Sequence, residues 1–270
     1  MNKLKNFLYL TLLILTACNS LSDSTSPTET PQGRIALTFD DVYVNNWHSV
    51  KTEIENRGAT ATFFVSRYGD ENAPVNTRND EFINMLHDFE QSGFEIGAHT
   101  LEHEHPNEYI ATHGLNAWLS DEVIKATCSM IDDGFTIYSF AYPFSNSQTE
   151  EANAKLLEIF DVIRTYSGKN TSHYLGIHSE NSQIALGSAI DEETLNINEL
   201  KKVIDNISEL GKTLVLSAHD IANENPTQLF IKPDTLFEII DYAIISGIEF
   251  INIKEINNEK ATPVKNSICM

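Results

Sequence analysis

Two carboxylates close an apolar run, Leu37-Thr38-Phe39-Asp40-Asp41. Neighbours on an extended chain point to opposite sides, so Asp40 and Asp41 are free to take different tasks. Further on, His99-Thr100-Leu101-Glu102-His103 sets two imidazoles four residues apart. They can converge on one cation if the backbone turns helically there. A carboxylate from elsewhere would then complete a three-ligand centre with an open position, the arrangement of a hydrolytic metal site. A further histidine, His219, follows the apolar run Leu214 to Ala218, with Asp220 beside it but too close in sequence to be assumed its partner. Taken singly these signals are weak, since an Asp pair is commonly a solvated turn and a His pair commonly structural. Their succession in one chain, with Tyr142-Pro143-Phe144-Ser145 between them, is far more specific.

The elements that must position these residues alternate along the chain. Ile35–Phe39, Ala61–Val65, Phe94–Ala98, Ile137–Tyr142, Val162–Tyr166, Ile184–Ile190, Leu214–Ala218 and Ile248–Ile253 read as strands. Trp47–Arg57, Asp80–Ser92, Asp121–Asp133, Thr149–Phe160, Ile197–Leu210 and Pro233–Ser246 have the helical period. Gly58, Gly93, Gly134, Gly211 and Gly247 each stand just past a helix and just before an apolar run, the position of a helix stop. Repeated strand-helix units imply parallel strands with right-handed crossovers, in an open doubly wound sheet or a closed barrel. An open sheet gathers its site at one switch point, whereas a barrel brings every strand end to one rim. Candidate residues at the ends of five strands favour a distorted (β/α) barrel of seven or eight parallel strands, although the run Ile184–Ile190 is a weak strand.

In this setting the sequence resembles the polysaccharide deacetylase family, the NodB-homology group of carbohydrate esterase family 4, over roughly residues 34–253. Thr38-Phe39-Asp40-Asp41 is similar to its first motif, and His99, Thr100 and His103 match its His-(Ser/Thr)-x-x-His motif. Phe140-Ala141-Tyr142-Pro143-Phe144 stands for its aromatic and proline segment, and Leu216 and His219 for its Leu-x-x-His strand end. The resemblance implies a NodB-like barrel that removes N- or O-acetyl groups from a polysaccharide or oligosaccharide. It further implies that Asp41, His99 and His103 hold a divalent metal, zinc first, with cobalt, nickel or manganese as alternatives. Asp40 is then the general base, His219 the general acid, and the Phe144 backbone N–H an oxyanion donor. Many family members have Gly where this chain has Val42 and Arg where it has Ala141; Arg164 is the candidate to hold Asp40 ionised and aimed. The family's usual Trp motif between Arg164 and His219 is absent from this sequence. Trp47 and Tyr142 are candidates to stack on a sugar ring, with core packing as the alternative.

The 270 residues carry 18 Lys+Arg against 39 Asp+Glu, a formal net charge of −21, so phosphate neutralisation on a nucleic acid is excluded. The same excess disfavours uronic-acid polymers as substrates. Lys3 and Lys5 precede an apolar run, Phe7 to Leu15, too short to span a bilayer. With Leu15-Thr16-Ala17-Cys18 it resembles a bacterial lipobox, which implies a signal peptide over 1–17, lipid attachment at Cys18 and membrane anchoring at the bacterial cell envelope. Residues 18–33 are Ser/Thr/Pro-rich, as a tether is, and 34–270 form the barrel domain. Cys128 and Cys269 are left to pair or to remain free thiols.

Two other classes compete. Two His and one carboxylate also ligate iron in oxygenases. A deacetylase-like barrel could instead hold glycans as a catalytically inactive envelope lipoprotein.

Overall fold

The structure, a computed structural model, describes residues 32–69, 74–145, 149–167, 171–227, 229–257 and 260–270. The signal peptide, Cys18 and all but the last two residues of the tether lie outside the described residues. Seven strands, β1 (Arg34–Asp41), β2 (Thr62–Val65), β3 (Glu95–Ala98), β4 (Ser139–Ala141), β5 (Val162–Tyr166), β6 (Ile184–Ala189) and β7 (Thr213–Ala218), pair in parallel in chain order, and β7 returns to β1. The sheet is therefore a closed barrel. After a short bridge between β8 (Asp220–Ile221) and β9 (Phe230–Ile231), a last strand, β10 (Glu249–Ile251), pairs with Arg34–Ala36 at the start of β1. β2 pairs with β1 only from Thr38 onward, so β10 fills the gap where the barrel splays at its N-terminal end. β6 and β7 splay likewise, pairing only at Ser188–Leu216 and Ala189–Ser217, with Ile177 bridging to Leu214 below. These two openings are the distortion of the barrel.

Alternation along each strand separates two cores. Ala36, Phe64, Ala141, Val162, Ala185 and Val215 point inward and meet Ile251, Ile253 and Ile256. Ile35, Leu37, Phe39, Phe63, Ile96, Phe140, Ile163, Leu214 and Leu216 point outward against the helices. Small inward residues make room for large ones: a Cβ on Gly97 would lie 2.5 Å from the ring of Phe64.

The outer layer comprises α1 (Val44–Asn56), α2 (Asp80–Gln91), α3 (Pro106–His113), α4 (Leu115–Trp118), α5 (Lys125–Asp132), α6 (Glu150–Leu157), α7 (Ile197–Leu210) and α8 (Pro233–Ile245). In α7 the Asn196 side chain caps the Glu199 N–H, Leu200, Val203, Ile204 and Ile207 form the buried stripe, and Gly211 ends the helix with φ 62°. The other four expected stops also take positive φ. The helical chain between β3 and β4 begins at Pro106, well before the expected Asp121, because Pro starts a helix at its first position. Among the described residues between β5 and β6 there is only a 3-10 turn, His173–Gly176. Cys128 of α5 is bonded to Cys269, which fastens the C-terminal segment to the outer layer.

Candidate active site

The inward parity of β1 carries Asp40 into the barrel mouth above Ala36 and Thr38, where it is 3% exposed. Its neighbour leaves the strand pattern: Asp41 has φ 85°, a left-handed conformation that turns its carboxylate toward the histidine loop. Asp41 Oδ1 lies 3.0 Å from His103 Nε2 and 3.5 Å from His99 Nε2. The two Nε2 atoms are 3.2 Å apart. Convergence of the two rings does not come from the helical turn expected from their spacing; it comes from left-handed Thr100 (φ 67°) and His103 (φ 60°).

This triangle suits a cation. Three donors each about 2.1 Å from one tetrahedral ion stand about 3.4 Å from one another. The three sides here are 3.0, 3.2 and 3.5 Å. His99 Nδ1–H donates to the Ala141 carbonyl at 2.9 Å, which leaves the Nε2 lone pair directed at the cluster. Burial opposes the charge on Asp41, but His103 and His99 beside it outweigh burial and hold the carboxyl well below its usual range. Among the described residues no other group of His, Cys, Asp and Glu is arranged in this way.

Arg164 comes from the inward face of β5, fully buried over the ring of Phe64, and donates from Nη2 to Asp40 Oδ2. Gly187 on β6 makes space for it, since a Cβ there would meet Arg164 Cδ at 3.0 Å and Ser217 Cβ at 2.9 Å. Gly187, within the run that read as a weak strand, is thus the residue that admits the Arg164 side chain. The second carboxylate oxygen of Asp40, Oδ1, is buried and has no hydrogen-bond partner among the described residues.

His219 follows β7, and its backbone N–H and Nδ1 both meet Asp191, at 3.1 Å to Oδ1 and 2.8 Å to Oδ2. Tyr166 O–H also donates to Asp191 Oδ2, at 3.1 Å. Burial works against a cationic imidazole, yet the Asp191 hydrogen bond and charge, with Asp41 and Asp40 behind them, push the His219 pKa up to about 9. Sequence reading passed over Asp191. Its signal was parity, because Ala185, Gly187 and Ala189 alternate inward toward it. Asp220 binds Asn46 and Asn225 instead.

The two candidate sugar platforms lie elsewhere. Trp47 is fully buried and donates from Nε1 to the His219 carbonyl at 2.8 Å, so it holds the site from behind. Tyr142 falls one residue after inward Ala141 and points outward, stacked on Trp118, with its hydroxyl on Asn153. The ring that does face solvent at the mouth is Phe144, 46% exposed with φ 56°, stacked on His105 at 3.6 Å and beside His103 at 4.5 Å. Trp47→Phe should therefore destabilise the fold by about 1–3 kcal/mol for the orphaned carbonyl, read as a lower melting temperature, and leave KM for a glycan unchanged. Thermal melts beside a KM determination test this, and a raised KM at unchanged stability would contradict it.

No curated sequence matches the chain. Solved structures share its fold. The carbohydrate esterase domain of a multidomain xylanase from the hindgut metagenome of Trinervitermes trinervoides is 16% identical, with a TM-score of 0.54 over 85% of this chain and 91% of that one. Peptidoglycan deacetylase PdaC from Bacillus subtilis is 15% identical, with a TM-score of 0.53 over 85% and 92%. The chitin deacetylase from Colletotrichum lindemuthianum is 15% identical, with a TM-score of 0.51 over 83% and 87%. A family profile described as polysaccharide deacetylase matches residues 28–176, which span β1 to β5 and all the motif residues before Leu216. Since that match takes in more than half of the sequence, the chain belongs to the polysaccharide deacetylase family.

Proposed function

We propose that the protein is a metal-dependent hydrolase that removes acetyl groups, from nitrogen or oxygen, from a polysaccharide or oligosaccharide. The observation that carries this reading is the donor triangle of Asp41, His99 and His103, with a buried carboxylate and a cationic imidazole at the same barrel mouth. A divalent cation held by those three donors supplies Lewis acidity for water and for an acyl oxygen. The chain's own groups do the proton work. Asp40, aimed by Arg164 through Oδ2, accepts a water proton on its free Oδ1 as the hydroxyl adds to the acetyl carbon. The Phe144 backbone N–H donates to the oxygen that gains charge. His219, cationic and oriented by Asp191, gives its proton to the departing amine or alkoxide as the C–N or C–O bond breaks, releasing acetate.

The exposed Phe144 ring suits the apolar face of a sugar, and peptidoglycan, chitin and acetylated xylan are the substrates to test first, given the names of the structural neighbours. We further read residues 1–17 as an export signal and Cys18 as its lipidation site, which puts the barrel on a tether at the bacterial cell envelope. Zinc is the first choice of metal, with cobalt, nickel or manganese as substitutes. The test is acetate release from that panel and from a generic acetyl ester. Chelation should abolish turnover, and added Zn²⁺ or Co²⁺ should restore it. Glycan retention without acetate release by metal-loaded protein would instead favour the binding lipoprotein.

A further inference from the structure

Behind the histidine loop stands a buried carboxylate that the proposed reaction does not use. Glu122 is 2% exposed and lies in Leu119–Ile124, where the helix between α4 and α5 widens into a π turn and the Lys125 N–H reaches back to the Ser120 carbonyl. Such a turn inserts a residue and re-aims the side chains around it, and it recurs at functional sites. The carboxylate is shielded from solvent, as is Trp118 four residues before it. Glu122 Oε2 accepts the Glu102 N–H at 2.9 Å. That amide lies between His99 and His103. Burial pushes the Glu122 carboxyl up, the backbone of Glu102 and Leu101 pulls it back, and the charges of Glu102 and Glu104 repel it. An apolar side chain would avoid those costs, so the carboxylate is not explained by packing.

What it touches does explain it. Thr100 and His103 both occupy the left-handed region that non-glycine residues avoid, and such backbone persists only where its surroundings over-determine it. We propose that Glu122 is a positioning residue for the metal ligands: by binding the Glu102 amide it fixes the loop in which His99 and His103 meet Asp41. The proposal rests on the reading of Asp41, His99 and His103 as a metal centre.

The experiment is titration of metal-free full-length protein with Co²⁺, followed by visible absorption, with thermal melts of each metal-free variant as the measure of folding. Outer partners of metal ligands are worth about 10- to 100-fold in metal affinity, so Glu122→Leu should weaken Co²⁺ binding by that factor and alter the absorption band. Glu122→Gln keeps an oxygen for the Glu102 N–H and should recover most of the affinity. Glu122→Asp withdraws the oxygens by one methylene and should lose about tenfold, which keeps the test decisive if the Leu variant does not fold. A purely structural role would lower melting temperature and leave the Co²⁺ constant and band unmoved; that result in a folded Leu or Asp variant overturns the proposal. So does a Gln variant as impaired as Leu. Wild-type protein that takes up no Co²⁺ overturns both this proposal and the metal reading, whereas wild-type uptake with unaffected Glu122 variants overturns this one alone.

Discussion

Asp40→Asn is expected to remove acetate release, by about 10²- to 10⁴-fold in kcat, while Co²⁺ still binds with wild-type stoichiometry. The side chain is buried at the barrel mouth, it is not one of the three clustered donors, and its Oδ2 is claimed by Arg164. Asparagine has the same shape but one acceptor. Arg164 can only donate, so it will take the amide oxygen and leave the NH₂ where the free Oδ1 now stands. A donor then faces the water whose proton must be accepted. Arg164→Met should fall in the same direction, because it leaves a buried carboxylate without its counter-charge. Initial rates of acetate release and a parallel Co²⁺ titration check both variants. Turnover of Asp40→Asn within tenfold of wild type would remove Asp40 from the mechanism, and Arg164→Met with full turnover would remove the guanidinium.

Much of this site could be read from the chain because its residues sit at strand ends, where side-chain parity and burial are dictated locally. Asp40 faces into the barrel as strand parity dictates, whereas Asp41 leaves the strand through a left-handed conformation that parity does not foretell, and the barrel follows from parallel strand-helix units punctuated by glycine. What escaped was set by packing between distant segments. Trp47 and Tyr142 carry aromatic rings fit for a sugar or for a core, and only the placement of His219 and Trp118 decides between these. The splayed base, closed by β10 and Ile177, has no signature in hydrophobic periodicity, since a short apolar run reads alike whether it completes a barrel or plugs one. The left-handed turn at Thr100 and His103 is likewise invisible, because threonine and histidine, like other residues with a Cβ, enter that region only uncommonly. Asp191 lay beyond a strand weakened by Ala185, Gly187 and Ala189, of which Gly187 leaves room for the inward Arg164 side chain.

Asp191→Asn should move the alkaline limit of turnover to lower pH. In the native site the imidazole of His219 titrates at about 9, with burial opposing the proton and the Asp191 hydrogen bond and charge retaining it. A general acid must carry its proton, so activity falls as pH rises through that value. A neutral amide at position 191 removes the largest favourable influence and leaves burial opposed only by the charges of Asp41 and Asp40, which returns His219 toward about 6.5. At pH 8 the protonated fraction, and with it kcat, should drop by about 30-fold, while at pH 6 the loss should be smaller. A dication at Asp41 adds positive charge and lowers the limit in both proteins, so their difference keeps its sign. Stability should follow the same proton. The folded value lies above the unfolded one, so the pair's contribution is complete below about 6.5 and is lost as pH rises through about 9. The gap in melting temperature between wild type and Asp191→Asn should therefore narrow from pH 6 to pH 10. Superimposable alkaline limbs in the two pH–rate profiles would show that His219 does not act as the acid, or that Asp191 does not hold its proton.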